Sequence, residues 1–115
     1  KERKAFGKSI ADFQNTQFKI AEMHTKLQVA RTYVDRCLEL HLKHELDIPT
    51  AAAGKYYITD LQCEVIDECL QLHGGYGYMW EYPIARMFAD SRVQRIYGGT
   101  NEIMKTIVAK AVLAD

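Results

Sequence analysis

Apolar residues return every three or four positions at Ile20, Met23, Leu27, Ala30, Val34, Cys37 and Leu38, with His41 on the same stripe. That period predicts a long amphipathic helix of about thirty residues after Asp12, which is placed to cap it. The segment Asp47-Ile48-Pro49-Thr50 ends this helix and opens the next, since aspartate caps a helix and proline suits its first turn. The second helix carries Ala52, Tyr56, Thr59, Cys63, Ile66 and Leu70 on one face, and Gly74 is placed as its C′ residue. A loop follows to Tyr82. Pro83 then starts a short helix to about Val93, with Ile84, Met87, Phe88 and Ser91 inward. A last helix runs from about Asn101 to Leu113, apolar at Ile103, Met104, Ile107, Val108 and Ala111. No stretch alternates in twos for long enough to be a strand. The expected fold class is all-α, an antiparallel helical bundle. Lys1-Glu2-Arg3-Lys4 reads like the tail of a further helix, and a missing helix would leave an apolar groove for something else to fill.

Composition narrows the function more than the fold. The chain has 115 residues, expected as one domain over 1–115, with 15 basic and 15 acidic side chains. No net field favours nucleic acid, and the basic residues are scattered rather than striped. No apolar run reaches the roughly 18 residues of a membrane span. The chain opens at Lys1 without an initiator methionine, which suggests a piece of something longer. Cys37, Cys63 and Cys69 make no CxxC pair and sit among apolar residues, which favours free thiols in a reducing compartment over a disulfide or metal role. His41 and His44 stand one helical turn apart, but no third ligand lies at a recognisable spacing, so no metal site is expected. Nor is any serine–histidine–acid or cysteine–histidine set readable.

Two glycine-rich breaks carry the candidate chemistry. Gly75-Tyr76-Gly77 is half of a GxGxxG pattern, yet Trp80 stands where the last glycine belongs, and the run follows a helix rather than a strand. A Rossmann reading fails on both counts. Two readings remain for this loop: a helix C-cap with a turn, or a bed for a flat heterocycle with a phosphate arm. Gln71 and His73 before it, and Tyr76, Tyr78, Trp80 and Tyr82 after it, favour the second. The other break, Arg95-Ile96-Tyr97-Gly98-Gly99-Thr100-Asn101-Glu102, delivers a glycine pair into a helix N-terminus. Thr100 there is either simply an N-cap or part of an anion site.

The wording of these segments resembles the C-terminal domain of the flavin-dependent acyl-CoA dehydrogenases. The similarity rests on Arg3-x-x-Phe6-Gly7-Lys8, on Phe13-Gln14 opening the long helix, on Gln71-Leu72-His73-Gly74-Gly75-Tyr76-Gly77-Tyr78, and on Tyr97-Gly98-Gly99-Thr100-Asn101-Glu102-Ile103. It covers essentially the whole chain, in order and spacing. Trp80-Glu81-Tyr82-Pro83-Ile84-Ala85 and Ile96-Tyr97-Gly98-Gly99-Thr100 look most like the long-chain members.

The resemblance implies an FAD enzyme that oxidises an acyl-CoA thioester to the trans-2-enoyl-CoA in fatty-acid β-oxidation. It implies a homo-oligomer (tetramer or dimer) that passes electrons to electron-transfer flavoprotein, in bacterial cytoplasm or mitochondrial matrix. Within it, Arg3, Gln14, Gln71, Leu72, His73, Gly74 and Gly75 correspond to FAD contacts made across a subunit interface. Thr100, Asn101 and Glu102 correspond to FAD contacts in the same subunit, and Gly98 and Gly99 to backbone beside the acyl thioester. Many members carry the catalytic glutamate where this chain has Gly98. Long-chain members keep it on a helix that would lie before Lys1, so no catalytic base is expected here, and the N-terminal and middle β domains are expected elsewhere. The rival expectation is a bundle kept only for oligomerisation or interaction, its dehydrogenase chemistry lost.

Overall fold

A computed structural model describes residues 1–115. A hairpin of two very short strands, β1 (Lys4–Ala5) and β2 (Lys8–Ser9), leads through a 3-10 turn at Ile10–Asp12 into α1 (Gln14–Leu42). Then come α2 (Ile48–His73), a 3-10 helix at Gly74–Tyr78, α3 (Pro83–Ser91), a 3-10 turn at Arg92–Arg95, and α4 (Asn101–Val112). The architecture is the all-α bundle that the periodicity implies.

Helix α2 is the axis of the molecule, with α1, α3 and α4 packed against it. The ion pairs Lys19–Glu68 (3.2 Å) and Lys26–Glu64 (2.6 Å) descend α2 as they climb α1, so the two helices are antiparallel. Half-exposed pairs of this kind mark register more than they stabilise. Further along, Gly54 is buried in the second turn of α2, where a Cβ would stand 3.0 Å from the Tyr33 ring, and the Tyr33 hydroxyl donates to the Thr50 carbonyl at 2.8 Å. Glycine there lets α1 approach closely.

The bundle is open. Its radius of gyration is 17.5 Å, against about 13 Å for a compact domain of this length, and it is 60 Å long. Only 11 of 115 residues are buried, because α1 has α2 on one side and little else. Ile20, Leu27 and Leu38 lie on the seam that the period predicts but stay exposed, while Ala30 is buried and Met23, Val34 and Cys37 are half-buried.

Several sequence expectations shift. Asp12 does not cap α1; it ends the 3-10 turn, and Phe13 occupies the N-cap position with no side-chain bond. Residues 1–4 are no helix tail. Phe6 and Gly7 both take positive φ (53° and 81°), as a two-residue hairpin turn requires, and they fold the strand Lys4–Ala5 back on Lys8–Ser9. A Phe-Gly turn lacks the Asn-Gly signature, which is why the hairpin is hard to read from sequence. The expected loop after Gly74 begins as a 3-10 helix. In α3 the buried residues are Ile84, Ala85 and Ser91, whereas Met87 and Phe88 are about half exposed, since nothing covers that side of a nine-residue helix.

At the start of α2 the Asp47 cap expected from sequence is formed. Its carboxyl is held below the ordinary 3.8 by hydrogen bonds from the Thr50 side chain and, at 2.7 Å, from the Thr50 backbone N–H. A depressed carboxyl stabilises the fold above its unfolded pKa, and that contribution fades as pH falls through the folded value. Asp47→Ala should therefore lose helicity relative to the parent chain at neutral pH, with the difference closing once pH drops well below 3.8. Paired acid titrations followed by circular dichroism check it; a difference that persists in strong acid would rule out the cap carboxylate as its source.

Candidate functional site

Two turns, one at each end of a stretch of α2, hold every residue singled out in the sequence except Gln14. That glutamine is the first residue of α1 and is exposed.

At the first turn, α2 ends on Gly74, with φ 62° and ψ −140°, a combination that glycine alone adopts freely. The Gly74 N–H closes the helix on the Gln71 carbonyl. A Cβ at Gly74 would stand 2.5–2.8 Å from the Arg3 guanidinium, which lies directly over the glycine. The hairpin brings it there, and Arg3 Nη1 donates to the Leu72 carbonyl at 2.6 Å. This bond engages one donor of a five-donor fork and leaves the others free. His73 Nδ1 lies 2.7 Å from the Cys69 carbonyl, so Nδ1 carries the proton and, in a neutral ring, Nε2 is left as an acceptor. Around this corner His73 meets Tyr82 edge-on, and Tyr82 stacks tilted on Tyr76 at 5.3 Å. A cleft of about 920 Å³ opens between the hairpin, the start of α1 and this corner, lined by Lys1, Glu2, Arg3 and Lys4 together with Ile20 and Tyr82. Gln71 and Gly75 are exposed, and so are Tyr78 (91%) and Trp80 (62%). Burial raises the nearby Cys69 thiol above its ordinary 9.0, which keeps it protonated and unreactive.

At the second turn, Gly98 and Gly99 take φ of 65° and 89° and swing the chain into α4. The Thr100 hydroxyl caps that helix by accepting from the Ile103 N–H at 3.3 Å. The N–H groups of Thr100, Asn101 and Glu102 bond to nothing else in the chain, so three donors are left without a partner at the positive end of the α4 dipole. Glu102 is exposed beside them.

Asn101 behaves differently. It is 4% exposed, and its side chain points into the bundle. Nδ2 donates to the Tyr56 carbonyl (3.3 Å), Thr59 Oγ1 (2.9 Å) and Asp60 Oδ1 (2.8 Å), while Oδ1 accepts from Lys55 Nζ at 2.6 Å. Its bonding capacity is used inside the protein, so only its backbone N–H remains for a ligand. Asp60 Oδ1 also accepts from Arg95 Nε at 2.8 Å, and Lys55 Nζ donates to the Gly99 carbonyl at 2.8 Å. Thus Lys55, Thr59 and Asp60, on one face of α2, anchor the glycine turn at Arg95, Gly99 and Asn101. The sequence reading missed Lys55 and Asp60. Their signal was polar side chains on the inward face that Tyr56 and Thr59 define.

The two turns are far apart. Lys55 and Gly74 are separated by nineteen positions on α2, about 28 Å along the axis. A single pyrophosphate cannot be held by both. No group of three histidine, cysteine, aspartate or glutamate side chains is arranged to hold a metal ion, and no helix is long and apolar enough to cross a membrane.

Residues 1–113 match the sequence profile of the acyl-CoA dehydrogenase C-terminal domain. The chain belongs to the acyl-CoA dehydrogenase family. It is 54% identical over all 115 residues to the mitochondrial long-chain specific acyl-CoA dehydrogenase of Mus musculus, of which it spans 27%. The crystal structure of an acyl-CoA dehydrogenase from Geobacillus kaustophilus superposes with a TM-score of 0.95 at 46% identity, covering 97% of this chain and 30% of that one. The FAD complex of PigA has the same fold, with a TM-score of 0.88 at 27% identity, covering 96% of this chain and 29% of that one. The chain thus spans under a third of each of these proteins.

Proposed function

We propose that this chain is the C-terminal domain of an FAD-dependent enzyme that dehydrogenates long-chain acyl-CoA thioesters to trans-2-enoyl-CoA. The observation that carries the reading is the second turn: two glycines with positive φ present bare backbone beside three unpartnered N–H donors at the start of a helix. Backbone without side chains lets a thioester come close, and free donors with a helix dipole suit a phosphorylated cofactor.

The residues fit FAD in two places. Thr100, Asn101 and Glu102 offer backbone N–H groups, and we assign them to the cofactor of their own subunit. At the other turn the Arg3 guanidinium has donors left over for a phosphate. Gln71, Leu72, His73, Gly74 and Gly75 make a corner bare enough for close approach, and Gln14 completes this set. About 28 Å of helix separates the two turns, which supports assigning the Arg3 corner to a cofactor held by a partner subunit. The homo-oligomer, tetramer or dimer, is supported by the many apolar side chains exposed on α1.

FAD, when bound, supplies the acceptor for the hydride that leaves the β-carbon. The chain's own part is positional. Gly98 and Gly99 line the thioester, and neither brings a side chain that could take the α-proton. We therefore assign that proton to a glutamate elsewhere in the full-length enzyme. Electron-transfer flavoprotein would take the electrons onward. Three unpaired cysteines suit a reducing interior, the bacterial cytoplasm or the mitochondrial matrix.

Two measurements test this reading. Acyl-CoA of long chain should bleach the flavin absorbance of the full-length protein anaerobically, and a flavin that stays oxidised would defeat the proposal. Arg3→Ala in that protein should weaken FAD binding roughly ten- to hundredfold, from about 1.5–3 kcal/mol for a charge-assisted bond. Flavin retention through gel filtration measures it. Full retention would remove Arg3 from the cofactor site.

A further inference from the structure

We propose that Lys55 is a positioning residue for the acyl site, through its hold on the Gly99–Thr100 peptide. The inference rests on the acyl-CoA reading of the second turn. Lys55 Nζ donates to the Gly99 carbonyl at 2.8 Å and to Asn101 Oδ1 at 2.6 Å, from the side of the turn that faces α2. In a trans peptide the carbonyl and the following N–H point in opposite directions. Pulling the Gly99 carbonyl inward therefore turns the Thr100 N–H outward, where it has no partner in the chain. The next two N–H groups, of Asn101 and Glu102, are also free, so the orientation of one peptide decides whether two donors or three face the ligand.

The turn needs such a hold. Gly98 and Gly99 both sit at positive φ, and glycine peptides flip more readily than any others. Asn101 is fixed by Thr59, Asp60 and the Tyr56 carbonyl, and Arg95 is fixed by Asp60, so both ends of the turn are tied to α2. Between the ties, Lys55 is the side chain that grips the peptide itself. Two of the three donors of its ammonium are engaged by these two oxygens, on the α2 side of the turn. It acts on the ligand only through the backbone it orients.

The test uses the full-length enzyme. Lys55→Met keeps most of the stem and removes the donors. We expect the maximal rate of flavin reduction by a long-chain acyl-CoA to fall at least tenfold, with KM changed less than threefold and flavin content unchanged. The flavin spectral shift induced by a 3-thia-acyl-CoA, in which sulfur replaces the β-carbon and no hydride can leave, should shrink in parallel. Lys55→Arg, which keeps the charge and the donors, should restore most of both. Independently of any turnover, peptides covering residues 97–107, which include the hydrogen-bonded amides from Ile103 onward, should exchange their amide hydrogens at least fivefold faster in Lys55→Met, with the middle of α2 unchanged. A reduction rate within twofold of wild type in flavin-replete Lys55→Met overturns the proposal. Should that variant not hold flavin, Lys55→Leu, which is shorter and also without donors, carries the same test; loss of flavin in both means that Lys55 only props the fold, and the proposal fails. If the wild-type enzyme is not reduced by acyl-CoA, the acyl-CoA reading fails instead, and the exchange experiment still decides whether Lys55 holds the turn.

Discussion

Asn101→Ala should destabilise the full-length protein by about 3 kcal/mol or more, the largest loss of any single substitution in the glycine turn. A hydrogen bond removed by truncation costs most when it leaves buried partners unsatisfied, and more again when they are charged. Here one amide serves four groups at once: the Tyr56 carbonyl, Thr59, Asp60 and Lys55. Deleting it takes one partner each from a half-buried carboxylate and an ammonium, and leaves Thr59 and the Tyr56 carbonyl without the amide. Asp60 would keep Arg95, and Lys55 would keep the Gly99 carbonyl, so the fold should survive with a looser turn. Thermal unfolding of the variant against Glu102→Ala measures the effect, because Glu102 is exposed one residue away and should be nearly neutral. A loss below 1 kcal/mol would mean that water replaces the amide, and that the network anchors nothing.

A carboxylate placed at Gly98 should restore part of the activity of a full-length enzyme stripped of its own catalytic glutamate. General-base catalysis contributes typically 10²–10⁴-fold, so the stripped enzyme should fall by about that factor while keeping its flavin. The site can take a side chain. A Cβ built at Gly98 meets nothing within 4 Å, and its φ of 65° lies in the left-handed region, which costs a non-glycine residue roughly 1–2 kcal/mol. Gly99 is the built-in control. A Cβ there would stand 2.6 Å from Met104 Cε, and φ is 89°. Gly98→Glu should therefore recover about one to two orders of magnitude of the lost rate, with Gly99→Glu, which must displace the Met104 methyl at a φ of 89°, recovering less. Single-turnover bleaching of the flavin by a long-chain acyl-CoA reads both. A flavin-replete Gly98→Glu double variant with no recovery would show that Gly98 does not face the α-carbon.

Much of the fold was legible because its elements obey local rules. The apolar period from Ile20 to Leu38, the Asp47 cap ahead of Pro49, Gly74 at the end of α2 and Thr100 at the start of α4 are each decided within a few residues. The errors have equally local causes. Phe6 at positive φ hides a hairpin turn that an asparagine would have advertised. Met87 and Phe88 follow the helical period but face outward, because period alone gives a face and not what covers it. The site was half visible. Both glycine turns stood out, as did the arginine and the amide beside them. Lys55 and Asp60 did not, since a polar residue on an inward face looks like any other until its partner is in place.

The sequence by itself determined four helices, the caps at Asp47 and Thr100 and the two glycine breaks, since dihedral preference and the 3.6-residue period act over neighbouring residues. It also carried the family resemblance, which the comparisons bear out. Three matters were decided only by tertiary structure. The hairpin folds Arg3 over Gly74, a contact spanning most of the chain. Helix α2 gathers Lys55, Thr59 and Asp60 under a turn some forty residues later. And Asn101, which reads on paper as a residue aimed at a ligand, is turned inward. A side chain's direction is set by which of its hydrogen-bond partners the fold brings within reach, and those partners are remote in sequence.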